Sequence, residues 1–132
     1  MNKDIKKRWL AWLRNPANKQ GRGYLRRGDR YCCLGGLCEL AVEDGIVTRE
    51  VKNILSDGTP LYAYDSETAY LSPSVARWAG LEGPELEGKP ARSVRPAVPE
   101  SPPEAPLTGE LDIWNDQGHP FTEIADLIER YL

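Results

Sequence analysis

Imidazole is nearly absent from this chain. His119 is the only histidine in 132 residues, so any acid–base or metal chemistry that needs histidine rests on one position. Cysteine is scarce as well. Cys32, Cys33 and Cys38 form an odd count with two adjacent members, which argues against a disulfide framework and offers no CxxC pair to chelate zinc from one turn. No apolar run reaches the ~18 residues that a membrane span requires. The opening MNKDIKKRWLAWLRNP is positively charged but has neither an apolar core nor a small-residue cleavage site, so it does not read as an export signal. The expectation is a cytoplasmic protein with reduced thiols and no membrane partner. Two phosphate-binding fingerprints are also missing: neither GxxxxGKS/T nor a GxGxxG following a strand occurs.

What is present reads as one soluble α+β domain over residues 1–132, with 40% hydrophobic residues and 28% charge. The net charge of -3 hides an asymmetry. Residues 1–31 hold ten Lys/Arg against Asp4 and Asp29, a local charge of +8, and the other 101 residues carry -11. Either the two parts neutralise each other across the fold, or the first third presents a positive face to an anion. The stretch Gln20–Glu39 concentrates the chemistry: four arginines, five glycines and all three cysteines in twenty residues.

Ile5, Trp9, Trp12 and Leu13 share one face of a first helix, which Asn15-Pro16 ends. Tyr24 to Cys32 reads as a hairpin whose Gly28-Asp29 loop supplies the positive φ angles. Leu34, Leu37, Cys38 and Ala41 mark a helix from Cys33 to about Asp44-Gly45, with Gly35 and Gly36 in its first turn. Each costs ~1 kcal/mol relative to alanine, which close backbone packing or a ligand would explain. Val47 to Leu55 suits strand or helix. Leu61 to Leu71 reads as a second hairpin turning at Asp65-Ser66. Ser72 and Pro73 open a short helix that ends at Gly80. Residues 82–107 hold seven of the eleven prolines and read as a flexible loop or linker. Thr108 caps a further helix with Leu111, Ile113 and Trp114, stopped at Gly118. The last helix starts near Pro120 with Phe121, Ile124, Leu127, Ile128 and Tyr131 on its apolar side.

Four constellations could carry chemistry. The first is an anion site made of Lys19, Arg22, Arg26 and Arg30 with the backbone N–H groups around Gly35 and Gly36 at a helix N-terminus. Its plain alternative is an exposed basic hairpin. The second is a nucleophile, Cys32 or Cys33, with His119 as base and Asn115 or Asp116 to orient it; the plain alternative is buried structural cysteine. The third is a metal held by the cysteines and His119, which the spacing disfavours. The fourth is nucleic-acid reading by WNDQGHPFTEIADLIER, a turn and helix of recombinase-like pattern. The exposed face there offers Thr122, Glu123, Asp126 and Glu129, which phosphates would repel.

The two ends of the chain together resemble a family of small uncharacterised proteins of tailed bacteriophages and prophages. The resemblance rests on Gln20, Gly21, Gly23, Leu25 and Arg26, then on Cys32-Cys33-Leu34-Gly35 and Leu37-Cys38-Glu39. Near the C-terminus it rests on Asn115, Asp116, Gly118, Phe121, Ile124, Ala125, Asp126, Ile128 and Glu129, and the LSPSVARWAGL segment fits as well. The chain departs from the pattern at His119, where serine, lysine or another residue is usual, and at Pro120, which replaces a Ser/Thr cap.

The phage setting that this resemblance implies favours a non-catalytic binding protein that counters host defence or redirects a host process. Under it the expected partner is a phosphate-bearing small molecule such as a nucleotide, or a host protein, and a homo-oligomer is among the expected states. No catalytic residue, metal or cofactor is assigned. The alternatives are a cysteine-dependent enzyme using Cys32 or Cys33, and a nucleic-acid-binding regulator using the basic N-terminal third.

Overall fold

The computed structural model describes residues 1–81 and 111–132. The proline-rich segment 82–107 and the Thr108 cap lie outside them, as do the side chains of Ile113 and Tyr131.

Helix α1 (Lys3–Arg14) begins where the Asn2 side chain accepts the N–H groups of Asp4 and Ile5, at 2.9 and 3.0 Å. It ends at Asn15, because Pro16 forces extended geometry on the residue before it. Ile5, Trp9, Leu10 and Leu13 are buried, and Trp9 Nε1 donates to the Cys33 carbonyl at 2.9 Å. Trp12 is half-buried, edge-on to Tyr31.

Strand β1 (Lys19–Gln20) runs parallel to β3 (Arg30–Tyr31), which pairs antiparallel with β2 (Arg26–Arg27). The two-residue loop between β2 and β3 forms as the sequence suggests. Of its residues only Gly28 takes a positive φ, 60°; Asp29 does not. Helix α2 (Cys33–Glu43) follows directly and stops before Gly45, which has a φ of 72°.

The ambiguous segment after α2 is strand β4 (Arg49–Ile54), which returns through an Asp57-Gly58 turn into β5 (Pro60–Tyr64). The sheet order is β1-β3-β2-β5-β4. β4 forms one edge, and its pairing with β5 is interrupted between Val51 and Asn53. Every residue of β4 is exposed, with Val51 at 52% and Ile54 at 58%.

The second hairpin expected over Leu61–Leu71 does not form as a ladder. Asp65 and Ser66 do turn the chain, with φ of 53° and 69°, but the return limb makes one bridge, Tyr64 to Glu67. The reason is edge competition. β5 already has β4 on one side and β2 on the other, where Arg27 faces Leu61 and Gly28 N–H reaches Pro60 O.

Helix α3 (Pro73–Ala79) is capped by Ser72, whose Oγ accepts Val75 N–H, and it ends on Gly80. Helices α4 (Leu111–Asp116) and α5 (Phe121–Tyr131) pack as a pair across Gly118, where φ is 97°. α5 buries Phe121, Ile124, Ala125 and Ile128 and leaves Leu127 half-buried. It lies along α1. The core runs from α1 through α2 to α3, α4 and α5, with the sheet flanking α2.

Candidate functional site

The basic N-terminal third divides by partner. Arg8 grips Asp44 at 2.9 and 3.0 Å, and Arg14 bridges Asp126 and Glu129 of α5 at 2.8 and 2.7 Å. Lys6 donates to the Glu129 carbonyl. Much of the sequence asymmetry is therefore internal neutralisation: the acidic face of α5 lies against basic side chains of α1. That geometry leaves little for α5 to offer a nucleic acid, since Asp126 and Glu129 are engaged by Arg14 and repel phosphate.

Arg26, expected in the anion site, points elsewhere. Its Nη1 lies 2.6 Å from Glu39, its Nε donates to Gly28 O, and its guanidinium sits 4.9 and 4.3 Å from the ring centres of Tyr31 and Tyr62. Arg49 and Tyr31 OH complete the shell of Glu39. With the Arg26 and Glu39 side chains 18% and 13% exposed, this is a half-buried structural ion cluster.

Glycines 35 and 36 are also structural. A Cβ on Gly35 would overlap the Leu25 carbonyl, and one on Gly36 would overlap the Trp12 indole. The first turn of α2 is thereby pressed between the β2 segment and α1. Its N-terminus is already filled: Asn115 Oδ1 accepts Cys33 N–H at 3.2 Å, and the N–H groups of Gly35 and Gly36 bond to Cys32 O. The expected anion site at this helix end does not form, because a protein side chain occupies it.

Asn115 is fully buried and joins the two ends of the chain. It also accepts from Gln20 Nε2 at 2.8 Å and donates to Gly21 O at 2.8 Å. Gln20 reaches the His119 carbonyl, and Asp116 accepts Gly23 N–H at 3.0 Å.

The arginines that do converge line an open concavity of about 350 Å³ formed by Gly21, Arg22, Tyr24, Arg27, Asp29, Arg30, Asp57 and Thr59. Arg27 is held by Asp57 at 2.7 Å, and Lys19 sits just outside, 3.0 Å from Asp29. Thr59, through its hydroxyl and N–H, and Arg27 pull the Asp57 carboxyl down to about 2; Lys19 lowers that of Asp29. Arg30 donates to the Gln20 carbonyl at 3.3 Å, and the Arg22 guanidinium lies over Gly118. Neither Arg22 nor Arg30 has a carboxylate within ion-pair distance among the described residues.

Of the expected ligand residues, then, Arg22 and Arg30 come together, Lys19 stands at the rim, and Arg26, Gly35 and Gly36 belong to the packing. Sequence reasoning missed Arg27, Asp57 and Thr59. The Asp57-Gly58 pair was a usable turn signal for the hairpin that brings them in.

The thiols are buried. Cys33 is 0% and Cys32 3% exposed, and Cys33 Sγ contacts Leu111 O. Burial, with Cys32 and Glu39 nearby, pushes the Cys38 thiol well above its ordinary value. His119 stacks on Trp114 and pairs through Nδ1 with Glu123, while Asn115 faces the α2 backbone rather than the imidazole. Thiol burial of this depth disfavours a thiolate. Among the described residues no group of three His, Cys, Asp or Glu is arranged around a metal position, and no helix is long and apolar enough to cross a membrane.

Fold and site define a small α+β domain with an arginine-lined surface concavity. Its whole length, residues 1–132, matches the family described as Domain of unknown function (DUF8296), and the chain belongs to that family. No curated protein and no solved structure matches it.

Proposed function

We propose that this protein is a non-catalytic binding protein that takes a phosphate-bearing small molecule in the concavity between its two hairpins. The observation that carries this reading is the pair of guanidinia, Arg22 and Arg30. Among the described residues they have no carboxylate partner, in a wall where every other charge is matched. Two unmatched positive charges suit a dianionic phosphate monoester, and guanidinium is the side chain best shaped to grip it. Tyr24 offers a ring, and Asp29 and Asp57 offer acceptors for hydroxyl or base N–H groups of a nucleotide. The resemblance of both chain ends to phage proteins supports a setting in which such binding withdraws a ligand from a host defence or redirects a host process.

The test is a panel of nucleotides and sugar phosphates read by thermal shift and calorimetry. The expected result is a stabilising ligand that is recovered chemically unaltered, with binding abolished by Arg22→Glu plus Arg30→Glu. Turnover of the ligand, or equal binding by the double variant, would remove the proposal.

A further inference from the structure

The concavity and the C-terminal helix pair share one short segment. Gly21, Arg22 and Tyr24 line the concavity, and the same run is fastened to the α4–α5 turn at three points. Asn115 accepts from Gln20 and donates to Gly21 O, Asp116 accepts Gly23 N–H, and Gly118 lies beneath the Arg22 guanidinium. A Cβ added at Gly118 would stand 3.0 Å from Arg22 Nη2, and its φ of 97° is one that side-chain-bearing residues rarely adopt. Gly23, between these anchors, also has a positive φ, 80°. The Arg22 backbone is thus bracketed by a buried amide and a surface carboxylate, both from the far end of the chain.

We infer that Asp116 and Gly118 are positioning residues for Arg22, so that docking of the α4–α5 pair sets ligand affinity and ligand binding in turn tightens that docking. This rests on the concavity being the ligand site. The shared segment provides the coupling, and thermodynamic linkage makes it reciprocal. Asp116 is itself an anion and would repel a phosphate. Its place against the Gly21–Tyr24 run is explained by the acceptor it gives the Gly23 N–H, and this separates positioning from simple charge.

The test compares Asp116→Ala with Asp116→Asn in the full chain, because the amide keeps the acceptor and removes the charge. With ribose 5-phosphate as probe, Asp116→Ala should weaken binding about fivefold or more, while Asp116→Asn stays within about twofold of the parent protein. A ligand-independent arm follows the Arg22 Nε–H by nitrogen relaxation and the Gly23 amide by hydrogen exchange. Both should loosen in Asp116→Ala and recover in Asp116→Asn. Gly118→Ala, which crowds the guanidinium without touching the carboxylate, should shift the Arg22 signal too. Binding by Asp116→Ala as tight as by the parent, or an unchanged Arg22 signal in it, overturns the inference. If the parent protein binds no phosphate compound, the ligand reading fails by itself, and the relaxation and exchange arm still decides whether the turn positions Arg22.

Discussion

Asn115 Oδ1 accepts the backbone N–H of Cys33 at 3.2 Å, across 82 positions of sequence. With its bonds to Gln20 and Gly21, this one buried amide closes the fold. It caps α2, holds the strand that leads into the concavity and anchors the C-terminal helices. Asn115→Ala should therefore cost about 2–4 kcal/mol in urea denaturation, because it strands buried donors as well as losing bonds. Asn115→Asp should be destabilising too, since it sets an oxygen against the Gly21 carbonyl. A loss below ~1 kcal/mol for the alanine variant would show that solvent replaces the side chain easily.

Alanine at position 35 tests the helix seat. Intrinsic propensity favours alanine over glycine by ~1 kcal/mol. The new methyl meets the Leu25 carbonyl, so the net effect should still be a loss of about 1–3 kcal/mol. Stabilisation would mean that α2 can slide away from the β2 segment. The readout is the denaturation midpoint at unchanged slope.

Much of the fold is legible in the sequence because its signals are local. Asn15-Pro16, Ser72-Pro73, Gly80 and Gly118 sit at element ends, and most of the expected apolar positions of α1, α2 and α5 are buried, with Trp12 and Leu127 half-buried and Leu10 an unforeseen addition. The partner of β5 was not legible, since it depends on which strands compete for its two edges. The site was legible only in part for a similar reason. Arginine content pointed to the right stretch, but each arginine's direction is set by acids far along the chain. Glu39 takes Arg26 inward, Asp57 holds Arg27 at the rim, and no described carboxylate claims Arg22. The glycine pair marks a close approach, and of the two explanations, packing or a ligand, it is packing against the Leu25 carbonyl and the Trp12 indole that the structure shows.

Arg26→Ala should destabilise the protein and leave Arg22 and Arg30 in place in the concavity. Losing one partner of a half-buried carboxylate costs about 2–3 kcal/mol when another cation remains, as Arg49 does here. Ligand affinity measured well below the unfolding temperature should change little. A selective loss of binding without a stability change would return Arg26 to the ligand site.

Acid titration reports on the β4–β5 turn. The Asp57 carboxyl is lowered from 3.8 to about 2 in the folded protein, so its contribution to stability is present above the unfolded value. It fades as pH falls through about 2. In the Asp57 carboxyl carbon spectrum the midpoint should lie near 2, and Asp57→Asn should flatten the stability profile between these two values. A midpoint at 3.8 would mean that Thr59 and Arg27 do not hold it.

The cysteines should resist alkylation. Iodoacetamide should label none of Cys32, Cys33 and Cys38 in the native state over a period that labels all three in urea, because each thiol is buried. Rapid native labelling of Cys32 or Cys33 would revive thiol chemistry at the start of α2.

Strand β4 closes one side of the sheet. It is an outermost strand with bare faces and two large apolar side chains in water, the arrangement most apt to recruit a neighbouring chain into a growing fibre. The break in pairing between Val51 and Asn53 places Lys52 where the ladder loses its regular repeat. Removing that one lysine would restore an even comb of donors and acceptors along the rim. An irregular, lysine-bearing edge is one of the devices by which a sheet discourages pairing with another chain.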